Sequence, residues 1–182
     1  TNKVTKKFAA INHCLIMNNK INKYINNLEN LVGETSQLSI RASENTNSFL
    51  IQPKFKNSDI KIETGQKYYD EQISGYKFQI SSSSFFQVNS NQIENMKNTI
   101  LSLIKDNRKS LLVDAYSGVG TFGILLSKYF EKVIGIEQSS SAVIDAKMNI
   151  KNIPNYKIYD SSENTYYDAN AYDNHNYQGG LL

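Results

Sequence analysis

A glycine-rich stretch, Asp114-Ala-Tyr-Ser-Gly-Val-Gly-Thr-Phe-Gly123, stands between an apolar run and a helical pattern. Gly118, Gly120 and Gly123 have the spacing of a dinucleotide loop, where missing side chains let backbone pass close to a ligand and to a sheet. By itself that spacing is a weak signal. Two carboxylates sharpen it. Glu137 closes the next apolar run, Val133-Ile-Gly-Ile-Glu137, where an acid can accept both hydroxyls of a ribose. Asp114 precedes the glycines, a position that suits a cationic amino-acid ligand or a water network and sits badly beside a pyrophosphate. The pair favours S-adenosylmethionine over NAD, which stays the alternative on glycine spacing alone. Each residue also has a plainer role. Gly118 and Gly120 could serve only a tight turn, Asp114 could cap the following helix, and Tyr116 could be core packing. The place of Tyr116 beside the glycines points instead to stacking or edge contact with the cofactor.

The elements that must position these residues follow from periodicity. Ser110–Tyr116 reads as a buried strand, Thr121–Phe130 as a helix and Lys132–Glu137 as a second buried strand. Ser139–Lys151 reads as a second helix and Tyr156–Tyr159 as a third strand. Strands and helices alternating through short connections indicate a parallel α/β sheet. Upstream, Ile21, Ile25, Leu28, Leu31 and Val32 fall at helical spacing within Asn18–Val32. Gln37–Arg41 and Ser48–Gln52 flank the polar stretch Glu44–Asn47 and predict a hairpin. Ile60–Thr64 is expected to be extended, and Tyr76, Phe78 and Ile80 alternate with polar residues as in a strand. Ser81–Ser84 reads as a tight connection, and Ile93, Met96, Ile100, Leu103 and Ile104 as a helical stripe. From Asp160 to Leu182 no period survives, and poor order is expected. The expected organisation is an accessory α+β domain over 1–75, the N-terminal part of an α/β domain over 76–160, and a tail over 161–182.

The chain has 182 residues, 40% apolar and 20% charged, the balance of a globular protein. A net charge of +3 tolerates an RNA partner without demanding one. The basic residues are scattered apart from Lys3, Lys6 and Lys7, read as a solvated end. A single cysteine, Cys14, excludes a disulfide framework and an all-cysteine metal site within the chain. His13 and His175 have no partners at metal-ligand spacing, so no metal is expected. No apolar run approaches the roughly 20 residues of a membrane helix, and no signal segment opens the chain. The expected location is the cytoplasm, or an organelle of an AT-rich genome given the abundance of Asn, Lys, Ile and Tyr. Thr1 in place of a methionine reads as a cut start, and the oligomeric state is not legible.

Three stretches resemble the RNA uracil-5-methyltransferase family. The first is Glu63-Thr-Gly-Gln-Lys-Tyr-Tyr69 followed by Gly75-Tyr-Lys-Phe78; the second is Ser84-Phe-Phe-Gln-Val-Asn89, with Glu94 in the next helix. The third is the glycine loop, continuing through Gly135-Ile-Glu137 to Ala146-Lys-Met-Asn149. The second is the most specific. The resemblance implies a Rossmann-like class I S-adenosylmethionine-dependent methyltransferase sheet, N-terminal half only, behind a small α+β accessory domain. It places cofactor contacts on Gln87, Tyr116 and Glu137, to which the loop reading adds Gly118. Gln87 comes from the resemblance alone.

The family adds a cysteine thiolate to uracil C6, transfers the methyl group to C5 of the resulting enolate, and removes the C5 proton with a carboxylate. The target base must first leave its stack. The thiol, an Asp-Pro strand end and the base belong to the family's C-terminal half, so no catalytic residue is expected in this chain. Cys14 resembles the fourth cysteine of an iron–sulfur site whose other three are missing, and it is read as a buried structural cysteine. Without later strands, Leu111–Val113 is expected to form an exposed sheet edge. The expectation is a fragment, a degraded gene product or half of a split protein, with the first two favoured. Its intact form would methylate uracil C5 in tRNA or rRNA. The alternative is an inactive module or remnant that binds S-adenosylmethionine or RNA.

Overall fold

The computed structural model describes residues 13–104 and 110–169. Lys3, Lys6, Lys7, His175 and the tail after Ala169 lie outside the described residues. Helix α1 spans Asn19–Leu28, and the Asn18 side chain closes its first turn by accepting from Lys20 N at 2.7 Å. It ends short of the expected Val32 because Asn30 takes φ +61°, the left-handed conformation in which helices stop. Cys14, expected to be buried, is only half-buried: its backbone N and O pair with the Asn22 amide, so main chain fixes it, not thiol packing.

Strands β1 (Ser39–Ala42) and β2 (Phe49–Gln52) form the expected antiparallel hairpin, with Ile40 opposite Ile51. Alternation puts neighbouring β2 residues on opposite faces. Ile51 joins Leu28 and Phe55 in a small accessory core, while Leu50 enters the main core. One strand thus walls two cores. The extended run expected at Ile60–Thr64 joins no sheet. Pro53, with no N–H to donate, ends β2, and the returning segment reaches back largely through side chains. Phe55 N donates to Thr64 Oγ1 and Ile51 N to Gln66 Oε1.

Strand β3 (Tyr68–Ile73) has no counterpart in the sequence reading, because its middle inward position is the charged Glu71. That carboxylate is buried and accepts from Ser43 Oγ at 2.8 Å, Ser90 Oγ at 3.1 Å and Glu44 N at 3.2 Å. Protein donors replace the water it loses. β3 pairs antiparallel with β4 (Tyr76–Ser81) across Ser74 and Gly75, both at positive φ as a two-residue hairpin turn requires. The boundary drawn at 75/76 falls on this turn. Tyr69, Ile73, Phe78 and Ile80, from both strands, share the main core with the α/β elements. Helix α2 (Ser90–Leu103) follows, buried at Ile93 but with Met96 and Leu103 facing solvent, so its apolar stripe is only part-covered.

The remaining elements are β5 (Leu111–Asp114), α3 (Thr121–Leu126), β6 (Lys132–Glu137), α4 (Ser140–Asn149) and β7 (Tyr156–Asp160). The three strands lie parallel in chain order, as strand–helix alternation predicts. β5 is an edge, with Leu111 and Val113 each 50% exposed. At the other edge the expectation of poor order fails: β8 (Thr165–Asp168) pairs antiparallel with β7. Tyrosines set among Asn, Asp and Ser, with no regular period, make this edge. The Tyr159 and Tyr166 rings pack at a tilt with centroids 4.7 Å apart, and Lys147 Nζ lies 3.2 Å from the centre of the Tyr167 ring. No helix among the described residues is long and apolar enough to cross a membrane.

Candidate cofactor site

Three parallel strands end in acids, Asp114, Glu137 and Asp160, with Glu137 directly opposite Asp160 in register. The crevice beyond the carboxyl ends of such strands is where α/β sheets bind ligands. The glycine loop leaves β5 there. Ser117 N returns to Ile136 O at 3.0 Å, and Gly120 N closes a turn on Ser117 O at 2.8 Å. Gly118 at φ +53° and Gly120 at φ +86° are left-handed, so the turn needs glycine at both. Nothing lies within 4 Å of where a Gly118 side chain would stand, so the loop's backbone is open to a ligand.

Gly123 and Gly135 do different work. A Cβ at Gly123 would collide with the Tyr156 ring, and one at Gly135 would stand 2.6 Å from its hydroxyl. The phenol fills the space under the loop, fully buried beside Ser117, and neither hydroxyl completes a hydrogen bond of good geometry. Burial, and then the charge of Asp114, push the Tyr156 pKa up, so it stays a neutral wedge.

Glu137 is already engaged. Its Oε2 accepts from Gly118 N at 2.8 Å, and its Oε1 accepts from Gln138 N and Ser139 N, each at 2.8 Å. One carboxylate therefore fastens the glycine loop to the start of α4. Of about four acceptor sites on a carboxylate, this leaves room for one ribose hydroxyl without rearrangement. Asp114 Oδ2 accepts from Gly123 N at 3.1 Å, in the first turn of α3, so the capping role is real. Burial raises the Asp114 pKa above 3.8, the Gly123 N–H opposes this, and the Glu137 charge adds to it. A cation beside this carboxyl would relieve that strain.

Tyr116 is 94% exposed, which rules out core packing and leaves its ring face free. Gln87 is also exposed, between the exposed side chains of Phe85 and Val88 and next to the buried Phe86. What brings this segment to the sheet is α4. Asn149 Oδ1 accepts from Gln79 N at 2.7 Å, and its Nδ2 donates to Gln79 O at 3.1 Å and to Val119 O at 3.0 Å. Buried Asp145 accepts from Ser81 N and Ser81 Oγ, both at 2.8 Å. Strand β4 and the glycine loop are thus tied to one helix face. Sequence reasoning placed Asn149 in a motif without a role, and it passed over Asp145 and Asp160. Asp160 is buried and accepts from Ser162 N and Ser162 Oγ at 2.9 and 2.6 Å. A strand-end acid next to Glu137 was the available signal for it.

A depression of about 670 Å³ lies elsewhere, on Thr35–Ser39, Gln52 and Pro53, and no titratable group lines it. The strand ends carry the chemistry. Among the described residues no group of three or more His, Cys, Asp or Glu is arranged to hold a metal ion.

Residues 2–175 match the family described as tRNA (uracil-5-)-methyltransferase. The chain belongs to that family. A protein of Acanthamoeba polyphaga mimivirus named as an RNA methyltransferase is 44% identical over 104 residues, covering 54% of this chain and 27% of that protein. The tRNA (uracil-5-)-methyltransferase homolog B of Danio rerio is 40% identical over 94 residues, 52% of this chain and 20% of that protein. Among solved structures, the Pyrococcus abyssi tRNA (uracil-54, C5)-methyltransferase in complex with S-adenosyl-L-homocysteine superposes with a TM-score of 0.63 at 20% identity. That likeness covers 84% of this chain and 50% of the Pyrococcus chain, and it shows the Rossmann-like methyltransferase fold. The matched stretches thus take up half or less of each relative's length.

Proposed function

We propose that this chain carries the S-adenosylmethionine-binding part of a tRNA or rRNA uracil-5-methyltransferase, with Gln87, Tyr116, Gly118 and Glu137 at the cofactor. The observation that carries this reading is the open, left-handed Gly118, whose N–H is held by the strand-end acid Glu137. The residues fit an adenosine group with a cationic centre. Glu137 keeps an acceptor for a ribose hydroxyl, Tyr116 offers a bare ring, and Asp114 is an acid whose charge a cation would stabilise. A pyrophosphate would meet two carboxylates instead, which disfavours NAD. The cofactor supplies the methyl group when bound. This chain's residues hold and orient it, while the thiolate and the base come from polypeptide beyond these residues. Cys14 does not fill that role, because its main chain is fixed to Asn22 on the accessory helix.

Calorimetry of the chain with S-adenosylmethionine tests this. Glu137→Ala alone is an ambiguous control, because it also strips an acceptor from three backbone amides. Gln87→Ala is the cleaner one, since that side chain is exposed. Binding by the parent chain that weakens in both variants supports the reading. A folded chain that binds NAD, or no nucleoside ligand at all, refutes it. Methyl transfer to uracil-containing RNA by the chain alone would overturn the assignment of the thiolate to other polypeptide.

A further inference from the structure

The turn Ser81–Ser84 delivers Phe85–Asn89, and its own sequence gives it little shape: four serines, with neither glycine nor proline to select a conformation. Its internal bonds are a long Ser84 N to Ser81 O contact at 3.3 Å and two hydroxyl pairs, Ser81 Oγ with Ser84 Oγ at 2.9 Å and with Ser83 Oγ at 3.3 Å. The shape comes from outside. On one side stands Asp145 of α4, already described. On the other, Arg41 of β1 donates from Nη1 to Ser84 O at 2.8 Å and Ser81 O at 3.3 Å, and from Nη2 to Ser82 O at 3.3 Å. Three carbonyls aimed at one point repel one another unless a cation sits there. A planar guanidinium matches them in a way a point-charge ammonium does not. Arg41 is half-buried beside Tyr69, whose pKa is pushed up to about 12 by burial, with the nearby guanidinium pulling against it.

We infer that Arg41 is a positioning residue for the cofactor segment, so that the accessory hairpin sets cofactor affinity by shaping the turn that presents Gln87. This rests on the reading of Gln87 as a cofactor contact. Removing the guanidinium lets the turn relax, and Phe85–Asn89 then samples conformations that cannot bind, which lowers apparent affinity by the fraction lost.

The test measures S-adenosylmethionine affinity by calorimetry and thermal stability for Arg41→Met, Arg41→Lys, Gln87→Ala and Glu71→Gln. Glu71→Gln weakens the same junction between accessory hairpin and main core without touching the turn, and glutamine keeps an oxygen that can accept from Ser90 at the far end of the segment. Arg41→Met is expected to lose affinity about ten-fold, with Arg41→Lys between it and the parent. Glu71→Gln should melt earlier yet bind as the parent does. The chain has no tryptophan, so Ser83→Trp adds a reporter of the turn. Its anisotropy should fall when Arg41→Met is introduced, with or without cofactor. Parent-like affinity in Arg41→Met while Gln87→Ala binds poorly would overturn the role of Arg41 and leave the Gln87 reading intact. Unchanged binding in Gln87→Ala would sink both. Equal affinity losses in Glu71→Gln and Arg41→Met would reduce Arg41 to a stability contact. If Arg41→Met does not fold, Arg41→Lys decides on the same readouts, and parent-like affinity there overturns the proposal.

Discussion

The two halves of the candidate site are built on opposite plans. At the strand ends, the acids are engaged by backbone amides: Asp114 by Gly123, Glu137 by Gly118, Gln138 and Ser139, Asp160 by Ser162. In the segment of Gln87, the side chains of Phe85, Gln87 and Val88 stand in solvent, and the backbone is held around them: by the preceding turn, by Phe86 in the main core and by Ser90 on Glu71. The first half is preorganised because the same bonds that fold the loop shape the site. In the second the exposed side chains are free to reshape on binding, and substitutions at Phe85, Gln87 or Val88 should touch affinity without touching stability.

Gly123→Ala should break the first half most severely. The new methyl meets the buried Tyr156 ring, and overpacking of this kind costs about 1–3 kcal/mol or more. Urea unfolding should show it, and Tyr156→Val in the same chain should recover part of the loss. A mild effect would mean that the phenol is not a rigid wedge. Glu137→Ala should come next, at roughly 1 kcal/mol and mostly from the part-buried Gly118 amide, since water can replace the acceptor at Gln138 and Ser139, together with loss of cofactor binding. Gln87→Ala is the contrast. Its stability should stay within about 0.5 kcal/mol of the parent, as for other exposed positions, while affinity falls. Equal stability losses at 87 and 137 would erase the distinction between the halves.

Asp114→Asn should have the smallest effect on the fold. The folded-state pKa of Asp114 is raised, so the folded chain holds a proton that the unfolded chain has released just above pH 3.8. Its contribution to stability is therefore greatest at low pH and declines as pH rises from 3.8 through the folded value. Asparagine still accepts from Gly123 N but does not ionise. The variant should melt at the parent's temperature or slightly higher at neutral pH, with a flatter pH dependence above that window. It should also bind S-adenosylmethionine more weakly.

The sequence was informative where structure is local. Strand and helix periods predicted the parallel order of β5, β6 and β7, because short apolar-rich strands alternate with helices through short connections. It was also informative where a turn admits only glycine, as at Gly118 and Gly120. It failed at β3, where Glu71 interrupts the alternation and is buried all the same, because its partners come from Ser43 and Ser90, far away along the chain. It failed at β8, where tilted tyrosine rings pack across an edge whose sequence, rich in Asn, Asp and Ser, shows no period. Gln87 was named only through the resemblance, since an exposed glutamine has no periodic or spacing signature.

By itself, then, the sequence determined the strand–helix order, the glycine loop and the acids that follow it, all of which rest on backbone sterics and on contacts between near neighbours. The tertiary structure decided the rest. It gave Gly123 and Gly135 their purpose, by placing the Tyr156 ring against both. It put Asn149 between β4 and the loop, and Arg41 over the carbonyls of a serine turn more than 40 residues downstream. Such contacts join segments whose separation along the chain carries no pattern, so only the fold that closes the distance can reveal them.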